Sequence, residues 1–205
     1  MIETSKKDRG SRRKANTRAK LLAASQKLMT ERSFDSVNIH DITEEADVGL
    51  GTFYNHFESK TEVLKALAAE FFILYITELE KLIAGIEDPA EIISVSYRYT
   101  LTYAKERGMF PLISQMPSDF LTDQVEARVR VDIGRGINSG RFRVDNLEAF
   151  VSFVSSMTLG VMENLARGKL SEADAIHTTG YYLRLLGISE EESITLTETP
   201  LPQKE

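Results

Sequence analysis

Between Asn38 and Phe57 two short apolar faces meet at a turn, and few folds accommodate that arrangement. Ile39, Ile42 and Ala46 lie one helical face apart behind Asn38, a residue type suited to cap a helix. Ala46-Asp47-Val48-Gly49 breaks the pattern with turn residues, and Leu50, Phe53 and Phe57 resume it on a new axis. Upstream, Leu21, Leu22, Ser25, Leu28 and Met29 recur at helical spacing from a cap at Asn16 or Thr17. Two short helices joined by a tight turn behind a longer one match a helix-turn-helix.

Helical punctuation continues downstream. Ser59-Lys60-Thr61-Glu62 reads as a capping box that opens a long helix to about Ala84. Asp88-Pro89-Ala90-Glu91 starts a helix ending near Gly108, with a short piece around 110–115 before Pro117. Further helices are expected at about 122–139, from Asp145-Asn146 to Gly168, and from Ser171 to Gly187. Gly134-x-Gly136-x-x-x-Gly140 reads as a weak helix end, since it lacks the strand and spacing of a dinucleotide loop. Alternating runs of useful length are missing, so the predicted fold is all-α with about nine helices. The division expected is a flexible basic arm (1–14), a three-helix DNA-binding head (15–60), a helical body (61–188) and a mobile tail (189–205).

Charge separates head from body. Residues 1–32 carry ten Lys or Arg against three acids, and the net is +2 over residues 1–60 but −8 over the remaining 145. A basic head on an acidic body points to a polyanion at one end. Cysteine is absent, which excludes disulfides, thiolate metal sites and a cysteine nucleophile. The three histidines, His40, His56 and His177, have no metal-ligand spacing, so neither metal, cofactor nor catalysis is expected. The longest charge-free stretch, Ala149–Met162, is too short to span a bilayer, and no secretory signal opens the sequence. A cytoplasmic protein with no membrane partner is the expectation.

Val48-Gly49-Leu50-Gly51-Thr52-Phe53-Tyr54-Asn55-His56-Phe57, followed by Lys60, resembles the DNA-binding segment of the TetR (tetracycline repressor) family of bacterial regulators. With the first helix the resemblance covers about residues 15–66. A helix over 50–56 turns Phe53 and Phe57 to the core and leaves Leu50, Gly51, Thr52 and Asn55 outward, with Leu50 also fitting a core position. Outward residues at the start of such a helix can reach base edges in the major groove. Gly51 removes a side chain where backbone must come close. The resemblance implies that Leu50, Gly51 and Thr52 lie nearest the bases and that Tyr54, His56 and Lys60 hold phosphates. Each of the last three also has a plainer reading, as a packed ring, a neutral surface imidazole and a solvated lysine. Asn38 either only caps its helix or also presents that helix N-terminus to a phosphate.

Three positions depart from the family pattern. Asp47 stands where glycine is common, at a turn expected to need left-handed backbone. Gly49 replaces the usual serine cap, and Asn38 the usual threonine. No Lys or Arg lies on 49–56, so guanine reading through a bidentate cation is unavailable to this helix, and A·T pairs are the expected contacts.

For the body the resemblance implies a small-molecule effector pocket among the middle helices and homodimerisation through the last two helices. Tyr97, Tyr103, Phe110, Met116, Phe120, Phe153 and Met157 are the candidate lining for an apolar or amphipathic effector, although aromatics at helical spacing serve equally as core. A dimer would read a near-palindromic operator in double-stranded DNA, with repression relieved by ligand as the default. The alternative is a helical DNA-binding or adaptor protein with no ligand.

Overall fold

A computed structural model describes residues 3–32, 34–106 and 118–203, and the side chains of 10–32, 34–106 and 125–203. Among the described residues are nine α-helices, one 3-10 turn and no strand. The helices are α1 (Glu3–Glu31), α2 (Ile39–Glu45), α3 (Leu50–Tyr54), α4 (Lys60–Leu82), α5 (Pro89–Glu106), α6 (Ser118–Asn138), α7 (Leu147–Ala166), α8 (Glu172–Leu185) and α9 (Glu190–Glu198). They form two compact units, 1–71 and 72–205. The short piece expected around 110–115 lies outside the described residues.

In the first unit α1 packs on α2 and α2 on α3. Leu21, Leu28 and Met29 of α1 share the core with Ile42, Phe53, Phe57 and Leu64. The segment expected to be a flexible arm is helical from Glu3. Its Lys and Arg residues are good helix formers, and they extend a helix already nucleated by the buried stripe downstream. Neither Asn16 nor Thr17 caps it; Thr17 Oγ1 instead donates to the Arg13 carbonyl at 3.0 Å. Asn38 caps α2 reciprocally, its side chain accepting from Asp41 N at 2.9 Å while Asp41 accepts from Asn38 N at 3.0 Å. Asp47 has φ 53°, the left-handed turn conformation the sequence called for.

In the second unit α5 is the central helix, in contact with α6, α7, α8 and α9. Asn146 caps α7 through Ala149 N, and Ser171 forms a capping box with Asp174 on α8. Gly168 and Gly187, both at positive φ, close α7 and α8. α7 is long and apolar enough by length and composition to cross a membrane. In this unit it packs on α6 and α8 and buries Val151, Val154 and Met162.

Residues 189–205, expected as a mobile tail, contain α9. Ser189 caps it by accepting from Glu192 N, and three glutamates occupy its first turn, where the helix dipole favours them. Its far end is held by a buried cation: Arg98 Nη1 donates to Thr197 O at 2.9 Å and Thr199 O at 2.6 Å. Ser94 Oγ adds a bond to Leu196 O. Arg141 grips the near end by bridging Asp88 and Glu192.

The glycine run expected as a weak helix end is divided. Gly134 and Gly136 lie inside α6, and only Gly140, with φ 73°, ends it. A Cβ on Gly136 would stand 2.0 Å from the buried Phe142 ring, whereas one on Gly134 would meet nothing. Gly136→Ala should therefore destabilise the protein by about 1–3 kcal/mol, and Gly134→Ala should stabilise it by about 0.4–1 kcal/mol. Equal shifts in denaturant midpoint for the two variants would contradict this packing.

Candidate nucleic-acid interface and effector cavity

Helix α3 is only five residues long and is held by the buried Phe53, with Phe57 buried just beyond it. That anchoring turns the opposite side outward. Leu50 is 50% and Tyr54 54% exposed, and Gly51 and Asn55 are exposed as well. Leu50 is thus a surface residue, and its alternative reading as core does not hold. Thr52 is half-buried. Gly49 occupies the cap position in extended backbone and supplies no side-chain bond, so its carbonyl alone receives Thr52 N at 2.8 Å and Phe53 N at 3.3 Å. A Cβ on Gly51 would meet nothing within the protein. The fold therefore does not require a glycine there.

His56 is half-buried beside a shallow depression that it lines with Gly10, Arg13, Lys14, Thr17 and Asn55. Burial holds its pKa below the ordinary histidine value, and the positive charges of Lys14 and Arg18 add to that. Arg18 lies with its guanidinium 5.1 Å over the Phe57 ring and pairs with Glu70 at 3.1 Å. Helical geometry over residues 10–17 thus brings two basic side chains of α1 beside the end of α3. Periodicity of apolar residues could not have revealed this, because the segment has no apolar stripe.

Lys60 is turned inward. Its ammonium donates to Val37 O at 2.6 Å and to Phe34 O, and sits 4.2 Å from the centroid of the Phe34 ring. Phe34 O, in the 3-10 turn Phe34–Ser36, also accepts from Val37 N at 3.4 Å, so Lys60 adds a second bond there and ties down Val37 O just beyond the turn. Asn38 is exposed, and its side-chain oxygen is engaged by its own cap.

The second unit contains a cavity of about 80 Å³. Phe72, Ile76, Ile93, Val125 and Val129 form its apolar walls, and Tyr75, Ser96, Tyr97, Thr100, Arg128, Asp132, Thr158 and Tyr182 its polar ones. Asp132, 4% exposed, accepts from Arg128 Nε at 2.7 Å through Oδ2, and Arg128 Nη1 also donates to Glu80. Asp132 Oδ1, Tyr182 OH and Ser96 Oγ are buried in this wall without a hydrogen-bond partner among the described residues. Burial raises the Asp132 pKa against the pull of Arg128. It also pushes the Tyr75 phenol up to about 12 and raises Tyr97 and Tyr182, so these rings are neutral donors.

The structure sorts the expected lining residues. Tyr97 is in the wall, with its hydroxyl 2.9 Å from Thr178 Oγ1. Tyr103 is buried behind it against Tyr75 and Tyr99. Phe153 is 56% exposed and Met157 half-buried, and neither lines the cavity, because the inner face of α7 is carried by Val151, Val154 and Thr158. Phe110 and Met116 lie outside the described residues, as does the side chain of Phe120. Asp132 and Arg128 went unrecognised in the sequence. Their signal is a carboxylate on the stripe shared by Val125, Val129 and Gly136, with an arginine four residues before it.

Together, the head and the helical second unit define a helix-turn-helix DNA-binding transcriptional regulator. The family model described as "Bacterial regulatory proteins, tetR family" matches residues 21–67, and that described as "Tetracyclin repressor-like, C-terminal domain" matches residues 88–198. The chain belongs to the TetR family of transcriptional regulators. Among curated relatives, the uncharacterised HTH-type regulator YvdT of Bacillus subtilis is 30% identical over 69 residues, 34% of this chain and 36% of its own. An HTH-type regulator of Lactococcus lactis is 36% identical over 52 residues, 25% of this chain and 26% of its own. The chain thus spans less than half the length of the curated relatives it matches. The crystal structure of RolR in complex with resorcinol superposes with TM-score 0.77 at 28% identity, covering 94% of this chain and 98% of that one. The fold is also that of FadR from Bacillus subtilis, solved with stearoyl-CoA, at TM-score 0.68 and 15% identity over 83% and 99% of the two chains.

The contacts of Lys60 give it a measurable role in the head. Lys60→Met keeps the stem but removes the bonds to Phe34 O and Val37 O, and it should lower unfolding stability by about 1–3 kcal/mol. A thermal midpoint equal to wild type would remove that role.

Proposed function

We propose that the protein is a homodimeric repressor that holds a near-palindromic operator through α3 and leaves it when a small effector occupies the cavity of the second unit. The observation that carries the DNA half is the outward face of α3, where Leu50, Gly51 and Asn55 are exposed and Tyr54, though its ring edges Phe53, is still 54% exposed. Thr52 and Asn55 offer groups suited to thymine methyls and adenine edges, and Tyr54, His56 and the Arg13–Lys14 pair flank them as phosphate donors. Lys60, committed to carbonyls, supports this surface by fixing the turn before α2. Asn38 sets the N-terminus of α2 in the same way.

Dimerisation is supported by apolar groups left outside on α7 and α8. Phe153, Ile176, Tyr181 and Leu185 are all at least 41% exposed. Solvent does not favour such residues together on one pair of helices, and a twin subunit would cover them.

The cavity walls supply the means of release. Tyr75 OH meets Thr100 Oγ1 at 2.6 Å, Tyr99 OH donates to Glu78 at 2.8 Å, and Arg128 donates to Glu80. These bonds tie α4 to α5 and α6, and Tyr75, Thr100 and Arg128 are themselves cavity wall. A ligand bonding there competes with the ties of α4 and so favours a different disposition of that helix. The volume of about 80 Å³ favours a small effector over a long acyl chain. RolR, whose complex holds resorcinol, supports an effector of that size.

Selection of bound sequences from a random duplex library tests the reading. An enriched near-palindrome, A·T pairs at the α3 contacts and loss of binding on adding resorcinol are the expected results. Enrichment of no sequence, or a monomer by light scattering at micromolar concentration, would overturn it. A second prediction concerns pH. His56 in the free protein has a depressed pKa, and a phosphate beside it would raise that value, so the complex binds more protons than the free protein. Operator affinity should therefore rise as pH falls through the bound-state value, and level off below the free-state value. Each unit of difference is worth about tenfold. In His56→Gln this pH dependence should disappear from the binding isotherms.

A further inference from the structure

Arg98 of α5 is 7% exposed, and among the described residues its hydrogen bonds go to carbonyls only. Nε donates to Ser94 O at 3.2 Å, and Nη1 donates to Thr197 O at 2.9 Å and Thr199 O at 2.6 Å. Both hydrogens of Nη1 are thereby used, and Nη2 takes no part in these bonds. Burial lowers the Arg98 pKa, whereas Arg128 and Arg141, which are paired with carboxylates, are raised. Carbonyls at the end of α9 answer part of the buried charge, but they supply no counter-charge.

Arg98 also lines an open groove of about 600 Å³ between α8 and α9. Arg184 lines it from α8, with its guanidinium 5.0 Å over the Tyr181 ring and Nη1 3.2 Å from Ser193 Oγ, a neutral partner. His177 and Glu198 complete the ionisable part of the described wall. With His177 neutral, two arginines against one glutamate leave that wall at +1. Ile176, Tyr181 and Ile194, each at least 41% exposed, form its apolar part.

We infer that this groove binds an organic monocarboxylate, with the carboxylate between Arg98 and Arg184 and the apolar body against Ile176, Tyr181 and Ile194. One negative charge balances the wall. Phosphate carries more charge than that and has nothing to place on the apolar side. An alcohol leaves the buried guanidinium without a counter-charge, and an ammonium repels it. The groove shares no wall residue with the cavity of about 80 Å³, so the inference stands apart from the role given to that cavity. Ile176 and Tyr181 also belong to the face proposed for a twin subunit, and the ligand would lie along that face.

The test is titration of the full-length protein with hexanoate, hexanol, hexylamine and inorganic phosphate, read by calorimetry and by the NMR signals of the His177 ring. The chain has three histidines and the other two lie in the head, so His177 reports the groove. Hexanoate is expected to bind saturably, about tenfold more tightly than hexanol, to exceed hexylamine and phosphate, and to shift the His177 signals. Arg98 fastens α9, so the exposed Arg184 and Glu198 are the residues to vary. Arg184→Gln should weaken hexanoate by about threefold to fivefold. Glu198→Gln, which removes the opposing charge, should tighten it by a similar factor, an effect that lost packing would not produce. Hexanol binding as tightly as hexanoate, tighter binding by hexylamine or phosphate, an affinity unchanged in Glu198→Gln, or hexanoate that binds without moving the His177 signals would each overturn the inference.

Discussion

A five-residue helix has no stability of its own, and α3 exists because Phe53 is fully buried beneath it. Everything the head presents to solvent follows from that anchor. With Phe53 and Phe57 inward, Leu50, Gly51, Tyr54 and Asn55 have to face out, in a fixed register. The surroundings secure the anchor from both sides. Arg18 covers the Phe57 ring from α1, and Lys60 fastens the start of α4 to the turn that precedes α2. The basic residues of the head therefore divide into two kinds. Some, such as Arg18 and Lys60, are occupied in holding the aromatic anchor and its turn, while Arg13 and Lys14 line an open depression.

In the second unit the corresponding constraint is electrostatic. A carboxylate at Asp132 is tolerated inside an apolar cluster because Arg128 shares its burial, and Arg128 in turn reaches Glu80 on α4. The pair gives little net stability, since desolvation offsets most of its attraction. Its value lies in position: the same guanidinium that neutralises the cavity floor also ties α4. Tyr75 and Thr100 repeat the arrangement on the neighbouring wall. The atoms that line the cavity and those that tie α4 to α5 and α6 are thus in part the same.

The sequence was most legible where local chemistry decides the outcome. Asn38, Ser59, Asn146 and Ser171 each satisfy helix-terminal amides with their own side chains, so caps read from residue type coincide with helix starts. Gly168 and Gly187 end helices for the equally local reason of positive φ. Legibility failed where a distant partner decides. α9 reads as an acidic tail until Arg98, about a hundred residues upstream, is seen holding its carbonyls. Lys60 reads as a solvated cation or phosphate donor until the turn at Phe34 folds back to it. Among the expected pocket residues Tyr97 lines the cavity, yet Asp132 and Arg128 were passed over because an i,i+4 ion pair is ordinarily a surface feature. The extension of α1 escaped for a further reason: helix propagation from a nucleus leaves no mark in hydrophobic periodicity.

Arg98 also bears on how the second unit comes to fold. Its guanidinium is buried and donates to the carbonyls of residues 94, 197 and 199. During synthesis the central helix is complete long before residue 199 leaves the ribosome, and over that interval the cation lacks the partners that make its burial tolerable. The native surroundings of α5 are therefore complete only once residues 197–199 are in place. The head, whose contacts close within residues 10–71, is under no such delay. The second unit is accordingly closed by contacts about a hundred residues apart, the kind that carries the largest loop-closure cost, while those of the head are local by comparison.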